Sequence, residues 1–428
     1  MAKKNECEEP RRSVVRHGQL RRSSSWRNLF RIVLTTLLVI GFSGVATAAY
    51  AVWGIVRDAN TIDLGVPVPV PDAVGAGSQS IEGELTIFLA GSDTRQGQSY
   101  NDGEEGELND VNLLLHISAD HQNATVISFP RDLMAPIPSC PSEDGVEDYY
   151  SAMSEQQLNS AMMYGGLPCV VRTISELTGM EIPYAAVITF DGVVGISNAI
   201  GGVEVCLAQP IVDPNTDLNL PAGDVTLEGW DALQFLRTRY GVGDGSDVAR
   251  ISNQQVFMSS LMRKLKSAET LSDPIKVWSL AKAAVDNMTL SESMKSVQFM
   301  QAAAGTVKDI NLDNIKFVQY PTFTHPYQEG RLTPDYASAQ VLFDLVKSGQ
   351  SFDVASVGEG AAVEPTEETA PEAAPETPVE GTETVPPEGT AEGTETEGEP
   401  TDAPVVLPEN ITGQSASTTS CSAGRTSF

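Results

Sequence analysis

Residues 84–132 read ELTIFLAGSDTRQGQSYNDGEEGELNDVNLLLHISADHQNATVISFPRD, and three short apolar runs stand out within them. Residues 84–91, 111–119 and 124–129 are rich in Val, Ile and Leu and are bounded by polar or glycine-bearing segments, the pattern of buried strands. Further along, helical patterns cover 153–165, 168–178, 191–200, 227–239 and 247–267, with strands near 184–190, 203–207 and 315–320. Mostly helical stretches at 273–286, 291–305 and 335–348 complete the body. Alternation of this kind over 83–350 predicts an α/β sandwich.

Each of the first three strands meets charge at one end. Gly91-Ser92-Asp93-Thr94-Arg95 follows the first, Asn109-Asp110 opens the second, and Ser128-Phe129-Pro130-Arg131-Asp132 closes the third. Open α/β sheets place ligands at strand ends. Taken singly, each group is a turn with a solvated ion pair; taken together they predict one cluster.

A denser group follows at 236–254, LRTRYGVGDGSDVARISNQ. Arg237 and Arg239 end a helix that Trp230, Leu233, Phe235 and Leu236 help pack. The glycines of 240–246 let backbone approach a ligand closely. Asp247 is placed to cap the next helix, and Asp247, Arg250 and Gln254 share one face of it. Phe257, Leu261 and Leu265 carry that helix into the core. Read blandly, this is an N-cap and an exposed ion pair, worth under about 1 kcal/mol. Yet three arginines fall within fourteen residues of an acidic body that holds 17 Lys and Arg. Arginine is the residue for bidentate phosphate recognition, so the spacing points to a phosphate or pyrophosphate site.

Charge is unevenly spread over the 428 residues, whose formal net charge is −30 and pI near 4.4. Residues 1–31 carry +6, residues 359–428 carry −14, and the body between holds −22. An acidic body argues against nucleic acid as a partner. Four histidines, His17, His116, His121 and His325, leave little room for a multi-histidine metal site or a His-based triad. Residues 32–56 contain no charge, and a bilayer core needs about 20 apolar residues in a helix. Basic residues precede this run and Asp58 and Asp63 follow it, which predicts a single-pass anchor with a cytoplasmic N-terminus and an extracellular body. A cleaved signal peptide, with Ala46-Thr47-Ala48 as its cleavage site, is the competing reading. Residues 57–82 read as a Pro/Gly/Ser-bearing spacer, and 351–428 as an acidic, disordered tail. Among Cys140, Cys169 and Cys206, one structural disulfide with one thiol left over is the plainest pairing, with Cys140–Cys169 favoured.

At these residues the sequence resembles the LytR-CpsA-Psr proteins of Gram-positive cell envelopes, in their actinobacterial branch. The resemblance rests on GSDTR, NDVNLLLHIS, SFPRDLMAPIP, LNSAMMYGG, ITFDGVVGISNAIGGVEV and ALQFLRTR followed by DVARISNQQ. It implies an α-β-α sandwich with a central mixed sheet and an apolar lipid-binding cavity. It also implies a phosphotransferase that moves a glycopolymer from a polyprenyl-pyrophosphate carrier onto peptidoglycan. By the motif match, Asp93 and Asp110 would hold Mg²⁺ or another hard divalent cation. Arg95, Arg131, Arg237, Arg239 and Arg250 would clamp the pyrophosphate with Gln254 assisting, and Asp247 would orient the cluster. Many members have Arg-Ser-Asp where this chain has Leu108-Asn109-Asp110, and Arg-Gln where it has Asn253-Gln254. The same residues would serve a polyprenyl-pyrophosphate hydrolase, and a non-catalytic lipid or polymer scaffold is the rival of a different class.

Overall fold

The computed structural model describes residues 29–36, 59–65, 80–100, 106–141, 149–267, 274–363 and 405–425, with single positions at 26, 54 and 57. The chain divides into two compact units, Met1–Gly54 and Ile55–Phe428. In the first, residues 29–36 are helical and exposed. No helix among the described residues is long and apolar enough to cross a membrane. Most of the expected span, 37–53, lies outside the described residues.

The second unit holds the strands β1 (Asn60–Ile62), β2 (Leu85–Ser92), β3 (Asn109–Ile117), β4 (Ala124–Ser128), β5 (Tyr184–Ile188), β6 (Val203–Leu207), β7 (Gly223–Leu227), β8 (Met288–Ser291), β9 (Ile315–Gln319), β10 (Ala361–Val363), β11 (Gly413–Ser415) and β12 (Ser420–Ser422). Its helices are α1 (Ala161–Thr178), α2 (Phe190–Ala199), α3 (Trp230–Arg237), α4 (Asp247–Lys266), α5 (Pro274–Asn287), α6 (Val297–Lys308) and α7 (Tyr336–Ser348). An eight-stranded sheet runs β1-β8-β5-β2-β3-β4-β9-β11. It is mixed: β2 pairs antiparallel with β3 and parallel with β5, and β4 pairs antiparallel with β3 and parallel with β9.

Side chains alternate across a strand, and the sheet is buried on both faces accordingly. Phe88, Ala90, Leu114 and Ile127 join one apolar cluster with Val170 and Ile174 of α1 and Leu342 and Phe343 of α7. Leu85, Ile117, Val126 and Phe317 join another with Phe299 and Ala302 of α6. A fully buried strand needs no polar alternation, which is why 111–117 reads as a near-continuous apolar run.

Two expectations are corrected. The helix expected over 153–165 is instead a strand, Met153–Gln157, and a short 3₁₀ turn before α1 begins. Within α1, Gly165 and Gly166 leave helical geometry where the helices expected over 153–165 and 168–178 part, and the close approach of the Pro141 carbonyl oxygen, 2.6 Å from where a Cβ on Gly165 would lie, calls for glycine there. The expected spacer contributes edge strand β1, paired in parallel with β8.

The largest correction concerns the C-terminus. Residues 405–425 return to the body, where β11 pairs with β9 and β12 with β6 and β10. Leu407 and Ile411 are buried in the core of the α1 face. Cys140 and Cys169 form a disulfide, but no body thiol is left over, because Cys206 is bonded to Cys421. The most acidic part of the expected tail, 364–404, lies outside the described residues.

Candidate functional site

The register of the central sheet gathers the first half of the site. Ser92 stands opposite Asn109 across the β2–β3 pair and Leu113 opposite Ser128 across β3–β4. The end of β2, the start of β3 and the end of β4 therefore lie side by side, bringing Asp93, Asp110 and Arg131 to the same end of the central strands. Gly91 is fixed by this closeness: a Cβ there would meet the Val111 Cβ at 2.8 Å. Asn109 ties the corner to α1, accepting from the Met162 backbone N–H at 3.1 Å and donating to the Leu158 carbonyl at 3.3 Å.

Asp110 and Arg131 form an ion pair of 2.7 Å. Asp247 reaches the same corner from α4, where its Oδ2 accepts from the Arg131 backbone N–H at 3.0 Å and its Oδ1 pairs with Arg250. Arg250 in turn donates to the Asp110 carbonyl at 3.2 Å. The cap of α4 is Ser246, whose hydroxyl accepts from the Ala249 N–H, so the Asp247 carboxylate is released from capping. Arg239 stands 3.5 Å from Asp132 and donates to the Gly245 carbonyl at 3.0 Å, the glycine loop supplying the approach. Gln254 donates to the Leu236 carbonyl at 2.9 Å, locking α4 to the end of α3.

Arg95 and Arg237 form the other half. Both guanidinium groups lie over the rings of Tyr100 and Phe190, Arg237 at 5.2 and 4.6 Å and Arg95 at 5.7 and 5.1 Å from the centroids. Such faces attract cations while leaving the guanidinium edge available. Arg95 also pairs with Asp93 at 3.6 Å.

These groups line one cavity of about 460 Å³. Asp93, Asp110, Arg95, Arg131, Arg237, Arg239, Arg250 and Gln254 all contribute to its wall, and the remainder is largely apolar: Leu89, Val111, Leu113, Val193, Ile196, Ile200, Leu233, Met258 and Leu261 among others. Of the residues expected at the site, Asp247 alone is not in the lining; it is buried behind it, positioning Arg131 and Arg250.

Sequence reasoning named Asp132 within its motif but gave it no role. It is buried and central, accepting from Gln157 at 2.8 Å and pairing with Arg331 as well as Arg239. Arg331 and the two rings, Tyr100 and Phe190, were also missed. Their sequence neighbourhoods carry no charge pattern that marks them; only the fold brings them in.

Six arginines thus face four aspartates in a body whose net charge is strongly negative. Burial raises the Asp93 carboxyl above its ordinary pKa and the charge on Asp110 adds to this, although the Leu108 N–H opposes it. Burial alone would lower the Arg131 guanidinium, but Asp110, Asp247 and Asp132 together raise it, so it stays charged. Among the described residues no group of three or more His, Cys, Asp and Glu is arranged to hold a metal. Asp93 and Asp110 lie near enough for their charges to repel, and they are the two carboxylates of the wall that could offer oxygens to a hard cation. Their mutual repulsion is what a cation would relieve.

A mixed α/β sheet with an arginine-rich, partly apolar cleft at the ends of its central strands defines the class of fold and site. Residues 64–340 match the family model of the LytR_cpsA_psr family, and the chain belongs to that family. It is 27% identical to the cell wall biosynthesis protein LcpA of Corynebacterium glutamicum, over 73% of this chain and 64% of that one. It is 22% identical to the polyisoprenyl-teichoic acid–peptidoglycan teichoic acid transferase TagU of Enterococcus faecalis, over 69% of this chain and 91% of that one. This chain therefore spans just under two thirds of the length of LcpA. The fold is shared with protein gbs0355 of Streptococcus agalactiae, at a TM-score of 0.50 and 20% identity, over 62% of this chain and 88% of that one. The 405–425 segment lies outside the family match.

Proposed function

We propose that this chain is a membrane-anchored phosphotransferase that moves a glycopolymer from a polyprenyl-pyrophosphate carrier to a hydroxyl of peptidoglycan. The observation that carries the reading is the convergence of Arg95, Arg131, Arg237, Arg239 and Arg250 with Asp93 and Asp110 on the wall of one largely apolar cavity. A diphosphate needs the first set and a prenyl chain the rest. The relatives named as cell wall biosynthesis and teichoic acid transferase proteins support the same class of reaction.

In this reading the acceptor oxygen attacks the phosphorus that bears the polymer. The P–O bond to the prenyl-side phosphate breaks, polyprenyl monophosphate leaves, and the acceptor proton passes to a carboxylate. Phosphoryl transfer is mostly positioning and charge neutralisation. Arg131 is held by the half-buried Asp110, and Arg239 and Arg250 by the buried Asp132 and Asp247, so they are pre-aimed and need not reorganise as charge develops. Each charge-assisted bond to a phosphate oxygen contributes about 1.5–3 kcal/mol. Arg95 and Arg237 lie over ring faces, Arg95 beside Asp93 and Arg237 beside Gln234, a softer hold that lets them follow the substrate. Asp93 and Asp110 would hold Mg²⁺, which would neutralise the diphosphate when bound. The basic head and uncharged run of 32–56 would keep the domain outside the cell beside its lipid donor.

The test is product analysis with the full chain, a polyprenyl-diphosphate-linked saccharide, Mg²⁺ and peptidoglycan. Transfer yields polyprenyl monophosphate and a wall-linked saccharide phosphodiester. A hydrolase yields free saccharide phosphate whether or not the wall is present, and a scaffold yields neither.

A further inference from the structure

Arg237 and Arg239 both line the cavity, and Thr238 between them is fully buried. Thr238 ends α3 in an extended conformation, φ −59° and ψ 134°, so the chain leaves the helix at that residue. At an extended residue the two neighbours face one side and the residue itself the other. The Thr238 side chain is accordingly turned away from both arginines, and its hydroxyl donates to the Asp213 Oδ2 at 2.7 Å. The same carboxylate oxygen accepts from the Arg239 backbone N–H at 3.3 Å.

Asp213 stands on a firm support. It is buried and ends the first strand of a hairpin, Ile211–Asp213 paired with Leu218–Leu220. Its Oδ1 accepts from the Asn215 N–H at 3.0 Å and its carbonyl from the Thr216 N–H at 3.2 Å, so the turn of the hairpin orients the carboxylate. Ile211, Leu218 and Leu220 are buried in one apolar cluster with Phe235 of α3 and Phe257 of α4. Gly241 closes the arrangement: a Cβ there would lie 2.8 Å from the Thr238 hydroxyl oxygen and 3.2 Å from the Asp213 Cβ. Glycine at 241 lets the loop after Arg239 fold back over the pair.

We infer that Asp213 is a positioning residue for Arg239, acting through Thr238 and the Arg239 backbone rather than on substrate. A buried carboxylate is costly unless its oxygens are hydrogen-bonded, and here one side-chain and two backbone donors are spent on it. What they secure is the point at which the chain turns out of α3, and with it the place from which the Arg239 side chain starts. The far end of that side chain is held separately, by the Gly245 carbonyl and Asp132. Arg239 is therefore fixed at both ends, one by a glycine loop and one by a hairpin remote from it in sequence. The effect on turnover rests on the phosphotransfer reading; the effect on anion binding does not.

The test uses the full chain with Mg²⁺ and two separate readouts: calorimetric binding of methylene diphosphonate, and turnover of the polyprenyl-diphosphate-linked saccharide. Thr238→Val keeps the shape of the side chain and deletes its hydroxyl, whereas Thr238→Ser keeps the hydroxyl. Asp213→Asn and Thr238→Val should each weaken diphosphonate binding and lower turnover by about 10- to 100-fold, and Thr238→Ser should retain most of both. If Asp213→Asn does not fold, the two Thr238 variants decide the matter. In an Arg239→Ala background Thr238→Val should bring little further loss of either quantity, because residues that act as a unit are not additive. Native binding and turnover in a folded Thr238→Val chain, or losses that add in full to those of Arg239→Ala, overturn the inference. A native chain that binds the diphosphonate but never cleaves the lipid donor overturns the phosphotransfer reading, and the binding cycle still decides the role of Asp213. A native chain that does neither overturns both.

Discussion

The Asp247 Oδ2 accepts a hydrogen bond of 3.0 Å from the backbone N–H of Arg131, across 116 residues of chain. Its other oxygen pairs with Arg250 on its own helix. This one carboxylate therefore sets the spacing between the strand-end arginine and the helical one. Removing one partner of a buried ionic network strands the others and costs about 3–5 kcal/mol. Asp247→Ala should lower stability by that order in denaturant titration and abolish donor cleavage.

Arg237 gives the contrast. Its guanidinium rests on Tyr100 and Phe190 and stands 3.4 Å from the Gln234 side chain, and no buried carboxylate among the described residues depends on it. Arg237→Ala should leave Tm within a few degrees while reducing donor turnover by about 10- to 100-fold, from the loss of about 1.5–3 kcal/mol. A fall in Tm comparable to that of Asp247→Ala would show that Arg237 is a structural residue.

Gly91 is placed so that β2 and β3 can approach beside the cavity, since a methyl group at this position would lie only 2.8 Å from the Val111 Cβ. Gly91→Ala forces the pair apart at the corner that carries Asp93 and Asp110. Overpacking of this kind costs about 1–3 kcal/mol. Thermal unfolding should register that loss, and donor cleavage should fall with it.

The segment 405–425 should be indispensable to the fold. It adds β11 and β12 to two sheets, buries Leu407 and Ile411, and is bonded through Cys421 to Cys206. It also holds the glycine loop, because the Gly243 N–H donates to the Ala423 carbonyl and the Arg425 N–H to the Gly241 carbonyl. Truncation after residue 363 should expose the β9 edge and give poorly folded protein. Cys421→Ser should be milder, costing about 2–5 kcal/mol, read as a drop in Tm.

Asp335 supplies a pH-dependent contribution. It caps α7, accepting from the Ser338 hydroxyl at 2.6 Å and N–H at 3.2 Å, and from Asn410 of the returning segment at 2.8 Å. The Ser338 hydroxyl, foremost among these donors, lowers its pKa below the ordinary carboxylate value. A depressed carboxyl stabilises the fold above its unfolded pKa, and that contribution is lost as pH falls through the folded value. Asp335→Ala should cost about 1 kcal/mol at neutral pH, and the difference from native should shrink below about pH 4.

Much of this was legible in the residues alone. The runs at 84–91, 111–119 and 124–129 lie within one or two residues of β2, β3 and β4, because strands buried on both faces announce themselves by continuous apolar sequence. The arginines and aspartates at their ends were legible for the same reason: charge abutting a buried strand is conspicuous. Asp132 and Arg331 were not, since each acts through partners brought close only by folding. Tyr100 and Phe190 carried no such mark, Phe190 reading only as the end of the strand near 184–190. The returning segment was hidden by its neighbours, for the Glu-, Pro- and Thr-rich 364–404 conceals a short piece whose signals are Leu407, Ile411 and one cysteine, Cys421.

The most direct measurement of the central claim is mass spectrometry of lipid co-purifying with the detergent-solubilised full chain. A polyprenyl diphosphate species should be present, near stoichiometric in the native protein, and lost from a folded Arg237→Ala, Arg239→Ala double variant. Native protein that carries no polyprenyl phosphate, and takes none up when it is supplied, would contradict the claim that this cavity and its arginines hold one diphosphate lipid.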